Sequence, residues 1–232
     1  MSTSGTPASD TRPPEFTTVR VCDFAAVPVR GAAGLGIALG ELLNGSQGLT
    51  GYRHVLGYAG YYERLPLSWE RKHVVVAADP LLPGASAAGH YVFEAHPDGA
   101  RFRQLPGRPE EIPASLWSTG LIPVLADRRA DMQAALAVLQ GTPYSAADYF
   151  ALAAHRFRLH PLDTALKEYV ASSRHMICSQ LWDWIYGHYG RIQLFGDGRW
   201  PGYVTPYDVA MMLLREKGMT SRAWRDCLRQ CP

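Results

Sequence analysis

Hydrophobic and polar positions change rhythm halfway along the chain. In the first half they tend to alternate. Residues 52–63, YRHVLGYAGYYE, and 89–96, GHYVFEAH, are rich in aromatic and β-branched residues at a period of two, and that pattern predicts strands. KHVVVAAD (72–79) reads the same way, and TTVRVCDFAAVPV (17–29) reads as a strand running into a turn. Pro97, Asp98 and Gly99 supply turn chemistry between GHYVFEAH and ARFRQLP (100–106), which predicts a hairpin. Between the first two strands, GAAGLGIALGELLNGS (31–46) reads as a glycine-loosened helix that stops at Asn44–Gly45.

In the second half the period lengthens to that of a helix. RRADMQAALAVLQG (128–141) carries apolar residues at helical spacing, with Gly141 as a stop. SAADYFALAAHRFRL (145–159) opens with Ser145 and Asp148 in a capping-box arrangement. SSRHMICSQLWDWIYGHYG (172–190) passes from a polar segment into an aromatic helix with Ile177, Leu181, Trp184 and Ile185 along one stripe. After a turn-rich GDGRWPG, the piece TPYDVAMMLLREKG (205–218) has Thr205 as N-cap, Pro206 at the first helical position and Gly218 at its end. TSRAWRDCLRQCP makes a short last helix. Strands followed by helices indicate an α+β fold, an antiparallel sheet packed against helices. The Pro- and Gly-rich tract 104–125 reads as a connection between the halves, because neither half shows a core of its own.

Composition narrows the picture. The chain has 232 residues, 47% hydrophobic and 19% charged, which suits one domain with an elaborated periphery. MSTSGTPASDTRPPEF (1–16) is small, polar and proline-rich and reads as a disordered tail, leaving 17–232 as the domain. With 23 basic and 21 acidic residues the net charge is +2, so nucleic acid is not an expected partner. The basic clusters Arg128–Arg129, Arg156–Arg158 and Arg222–Arg229 read as solvated surface. No run approaches the ~20 apolar residues of a membrane span, and the start lacks the pattern of a signal peptide. The expected compartment is the cytoplasm, with export by a route the sequence does not display left open.

Four cysteines are too few for a disulfide framework, and Cys227 and Cys231 near the end read as an incidental thiol pair. Cys178 is different because it stands on the first turn of its predicted helix. Free amides and the helix dipole there favour an anion, which lowers the pKa of a thiol so placed. A free cysteine is nonetheless most often a buried packing residue, so companions decide. A nucleophilic thiol needs a base, usually histidine, and a third group to orient it. His54 in YRHVLGYAG is the best candidate, on a strand face with Leu56 and Tyr58, while Val55, Gly57 and Ala59 take the other. A strand histidine can equally be a satisfied or surface residue. No H-E-x-x-H pattern is present, and no metal site is expected.

GLTGYRHVLGYAG, YVFEAHPDGARFRQL, GTPYSAADY, MICSQLWDWIYGHYG and VTPYDVAMML occur in this order over residues 25–215. In that order the chain resembles the circularly permuted NlpC-like papain-fold cysteine hydrolases of the YiiX/YaeF type, related to lecithin–retinol acyltransferase. The resemblance implies a permuted papain-like fold with Cys178 as nucleophile at a helix N-terminus and His54 as its general base. Glu94 falls at the third polar position, the alternative being an exposed hairpin residue. Tyr144 and Ser179 stand where oxyanion or substrate contacts are expected. Core or surface packing is the other reading of Tyr144, and helix-start hydrogen bonding the other reading of Ser179. The implied activity is hydrolysis of an amide (peptide or N-acyl) or ester bond through an acyl-enzyme, with no cofactor. A catalytically silent binding module and an acyltransferase are the alternatives. The substrate would be a small molecule, a peptide or a lipid-like compound.

Overall fold

A computed structural model of the chain describes residues 18–28, 52–63, 65, 88–96, 99–143, 176–199 and 204–229. The expected tail 1–16, the helices over 31–46 and 145–159 and the strand over 72–79 lie outside the described residues.

Among the described residues four strands form one antiparallel sheet in the order β1-β2-β3-β4: β1 Phe24–Pro28, β2 Tyr52–Tyr62, β3 Gly89–His96 and β4 Gly99–Gln104. The hairpin predicted around Pro97–Gly99 is the β3–β4 pair, in register from Tyr91 opposite Gln104 to His96 opposite Gly99. β2 and β3 pair Leu56 with Glu94 and Gly57 with Phe93. β1 pairs Val27 with His54 and Pro28 with Tyr52, so Arg53 is an extra residue just before the histidine. From Val55 to Gly60, β2 is buried on both faces, where strict alternation would leave one face wet.

The first strand is shorter than its sequence predicts. β1 starts only at Phe24, because Asp23 closes a turn ahead of it. The Asp23 carboxylate accepts the Arg20 N–H at 2.9 Å, the Asp23 N–H donates to the Arg20 carbonyl, and Cys22 takes the left-handed conformation (φ 66°). Asp23 is buried and also accepts from Thr119 Oγ1 (2.8 Å) and Arg129 (2.9 Å). Arg129 is therefore not the solvated residue its position beside Arg128 predicts. A buried carboxylate needs a counter-charge, and the helix turns this guanidinium inward.

Among the described residues four helices follow: α1 Ala126–Leu139, α2 Cys178–Ile185, α3 Pro206–Glu216 and α4 Ser221–Arg229. α1 and α3 end near Gly141 and Gly218, both in the left-handed region, as their sequences predict. Thr205 caps α3 reciprocally: its Oγ1 accepts the Asp208 N–H, and Asp208 accepts the Thr205 N–H. Such a cap contributes about 1 kcal/mol. α2 lies on β2 and β3, α3 lies on β1 and β2, and the two helices touch. The tract after β4 is more than a connection. It makes two short 3-10 turns (Pro109–Glu111 and Ala114–Leu116), buries Ile112, Leu116 and Trp117, and bridges Trp117 to Ala25 on the free edge of β1. Ser118 Oγ accepts the Phe24 N–H at 2.9 Å. The observed class is α+β, a four-stranded antiparallel sheet packed with helices. No helix among the described residues is long and apolar enough to cross a membrane.

Candidate active site

Cys178 is the first residue of α2, as its sequence position predicts, with Ile177 as N-cap in an extended conformation. Gln180 reaches back, its Oε1 accepting the Ile177 N–H at 3.0 Å. The helix is pinned along its length. At its start, Ser179 Oγ donates to the Val204 carbonyl at 2.6 Å, tying α2 to the residue before the α3 cap. One turn on, Trp182 lies on Gly57 of β2: a Cβ added there would stand 1.9 Å from the indole, so only glycine admits this approach. The same indole donates to the Phe93 carbonyl at 3.3 Å. A π-turn, Tyr186–Gly190, continues the helix, and Tyr186 donates its hydroxyl to the Cys22 carbonyl (2.8 Å) while meeting Phe24 edge-on at 5.3 Å. Cys178, Leu181, Trp182 and Ile185 form the fully buried stripe, with Trp182 taking the place the spacing gave to Trp184, which is only half-buried.

These contacts bring Cys178 to the β2 end that carries His54. Cys178 comes near enough to the His54 ring for its charge and its side chain to act on the imidazole. The His54 ring meets Glu94 through Nε2, 3.0 Å from Oε2. Register explains that contact: Glu94 pairs with Leu56, so it is the diagonal neighbour of His54 on the adjacent strand. Glu94 is buried, with 5% of its side chain exposed, and the exposed-hairpin reading of its sequence does not hold. Its neighbours on β4 account for that burial. Arg101 stands opposite it, with Nε 3.3 Å from Oε1, and Arg103 reaches both carboxylate oxygens at 3.0 Å. A buried carboxylate with three charged donors is satisfied, and all three steer its oxygens.

The electrostatics follow. Burial alone would lower the pKa of His54. The charge and hydrogen bond of Cys178, and then those of Glu94, outweigh burial and push the imidazole up to about 10. Burial alone would raise Glu94. The hydrogen bond and charge of His54, with Arg103 and Arg101 behind them, hold its carboxyl below the usual carboxylate range. Burial pushes the Cys22 thiol up to about 12, with Asp23 reinforcing that rise and Arg129 opposing it.

Cys178 has no exposed surface, whereas His54 keeps 13% of its side chain open, so solvent meets the pair from the imidazole side. The oxyanion or substrate role expected of Ser179 does not fit its placement. It is fully buried with its proton committed to Val204, which is the helix-start bonding its position also allowed. Tyr144 lies outside the described residues. Sequence reasoning missed Arg101 and Arg103. Their alternation along ARFRQ, beside a carboxylate one hairpin away, was the available signal. Compared with protein-family models, with curated proteins and with solved structures, the chain matches none.

Proposed function

We propose that this protein is a thiol-dependent hydrolase of permuted papain-like architecture, cleaving an amide or ester through an acyl-enzyme on Cys178. The observation that carries this reading is the line of contacts Cys178–His54–Glu94, assembled from a helix start and two strands. With Nε2 engaged by Glu94, Nδ1 is the ring nitrogen that exchanges a proton with the sulfur. A histidine pushed up to about 10 holds a proton at neutral pH and can pass it to the leaving group. The sulfur attacks the carbonyl carbon, a C–S bond forms, and the C–N or C–O bond breaks as His54 protonates the leaving group. Water then attacks the thioester. His54 takes its proton, the C–S bond breaks, and the acid departs. Glu94 fixes the ring and stabilises the imidazolium without giving up its own charge. The Cys178 N–H, at the first position of α2, has no carbonyl one turn back within the helix and supplies one donor for the oxyanion.

The test is a panel of electrophilic acyl probes, peptide-like and fatty, followed by mapping of the modified residue. The reading expects one acyl class to load Cys178 and to turn over, with loading lost in Cys178→Ala. A panel that leaves Cys178 unmodified in the folded protein rejects it. One observation favours a second reading, a catalytically silent binding module: the sulfur is sealed by its neighbours. That reading predicts the unmodified outcome.

A further inference from the structure

β4 turns two arginines toward one carboxylate. In ARFRQ the side chains alternate, so Arg101 and Arg103 share a face while Ala100 and Phe102 are buried on the other. Phe102 meets Phe93 edge-on at 4.9 Å, within the register that sets Arg101 opposite Glu94 and Arg103 opposite Val92. Glu94 therefore has His54 as its diagonal neighbour on β2 and Arg103 as its diagonal neighbour on β4.

The two arginines do not meet the carboxylate in the same way. Arg101 Nε lies 3.3 Å from Oε1. Arg103 Nε lies 3.0 Å from Oε1 and 3.0 Å from Oε2. Oε2 is also the oxygen that His54 Nε2 meets at 3.0 Å. One oxygen is thus shared by a guanidinium and an imidazole. Since each nitrogen lies 3.0 Å from that atom, the two are no more than about 6 Å apart, within the range where a like charge opposes protonation. Among the described residues, the titratable and charged groups that face His54 are Cys178 of α2, Glu94 of β3 and, through Glu94, Arg101 and Arg103 of β4. Its partner on β1 is Val27, which carries no charge. Cys178 and Glu94 favour the imidazolium. The arginines oppose it, and Arg103 does so from the shared oxygen.

We propose that Arg103 is a positioning residue for His54: by engaging the oxygen that His54 uses, it limits the hold of Glu94 on the imidazolium and keeps the ring able to release its proton. Without Arg103, Oε2 would be left to His54, the carboxylate–imidazolium pair would tighten, and the ring would keep its proton to higher pH. Arg101, on the other oxygen, balances the charge of Glu94 and acts on the ring from farther away. The functional consequence rests on the hydrolase reading, in which His54 must protonate the leaving group and then take a proton from water. The charge arrangement itself does not depend on that reading.

Titration of the His54 ring by NMR tests this on the full chain with labelled histidine, the signal being assigned by its loss in His54→Ala. The wild-type ring is expected to titrate near 10. Arg103→Gln should move the midpoint up by about one pH unit, a tenfold change in the ratio of protonated to neutral ring at a fixed pH. Arg103→Lys keeps the charge and should return about half of that shift or more. Arg101→Gln should move the midpoint by less than about half as much. Arg103 keeps 30% of its side chain open, so Arg103→Gln leaves no sealed cavity, and urea denaturation confirms the fold. An arginine with a merely structural role would change stability and leave the midpoint where it was. An unchanged or lowered midpoint in folded Arg103→Gln, no recovery in Arg103→Lys, or a shift in Arg101→Gln as large as that in Arg103→Gln would each overturn the proposal. The ring titrates whether or not Cys178 accepts an acyl group. Failure of the hydrolase reading therefore shows in the acyl-probe panel, and failure of this inference shows in the midpoints.

Discussion

Glu94→Gln removes one charge from the candidate site and almost none of its volume. Glu94 holds His54, Arg101 and Arg103, and only 5% of its side chain meets solvent. Removing one member of a buried ion pair typically costs about 3–5 kcal/mol, because the partner charge is left stranded. Here the stranded side chains are not fully sealed: Arg101 is 17%, Arg103 30% and His54 13% exposed. Water recovers part of the loss, and His54 can release its proton, so the expected cost near neutral pH is about 2–3 kcal/mol. The pH dependence has a definite sign. The folded pKa of His54 is raised from 6.5 to about 10, so its contribution is complete below pH 6.5 and is lost as the pH rises through about 10. That of Glu94 is depressed below 4.5, so its contribution is present above that value and is lost as the pH falls through the lower folded value. The stability gap between wild type and Glu94→Gln should therefore be widest from about pH 5 to 6.5, and narrower near pH 10 and in strong acid. Urea denaturation followed by tryptophan fluorescence at about pH 3, 6 and 10.5 reads the gap directly. A gap below about 0.5 kcal/mol at pH 6, or one that does not change with pH, would refute the electrostatic account of this cluster.

Gly57→Ala places a methyl 1.9 Å from the Trp182 ring. The helix must shift, at about 1–3 kcal/mol, and Cys178 one turn earlier should lose reactivity too; wild-type stability in urea would contradict the close approach. Ser179→Ala leaves the buried Val204 carbonyl without its donor, and thermal melting should show a loss of about 1–2 kcal/mol. Thr205→Ala removes the α3 cap and should cost about 1 kcal/mol while leaving Cys178 labelling unchanged; a labelling change would tie that cap to the site more closely than its contacts do.

Local signals in the sequence led to the parts of the fold that depend on local chemistry. The β3–β4 hairpin followed from turn residues between alternating runs, and the ends of α3 from Thr205, Pro206 and Gly218. The position of Cys178 followed from the change of period at Ile177. What could not be read depended on residues far apart in sequence. β1 begins late because Asp23 draws in Thr119 and Arg129, more than ninety residues away. Trp182, not Trp184, faces the sheet because Gly57 leaves room for it, and helical spacing alone admits either. The choice between a buried and an exposed Glu94 required the strand register, since only pairing with β4 shows two arginines converging on it. The sealing of Cys178 is likewise a property of packing, which a pattern of residue types does not contain.

The central claim is that His54 makes the Cys178 sulfur reactive, and the rate of Cys178 alkylation by iodoacetamide tests it most directly. Peptide mapping by mass spectrometry can compare wild type with His54→Ala near neutral pH, each confirmed as folded. Cys22, buried and pushed up to about 12, serves as the internal reference. The account predicts that Cys178 is modified in the folded wild type while Cys22 is not, and that the Cys178 rate falls by about tenfold or more without His54. Equal inertness of the two cysteines in the wild type, or a Cys178 rate indifferent to His54, would contradict it.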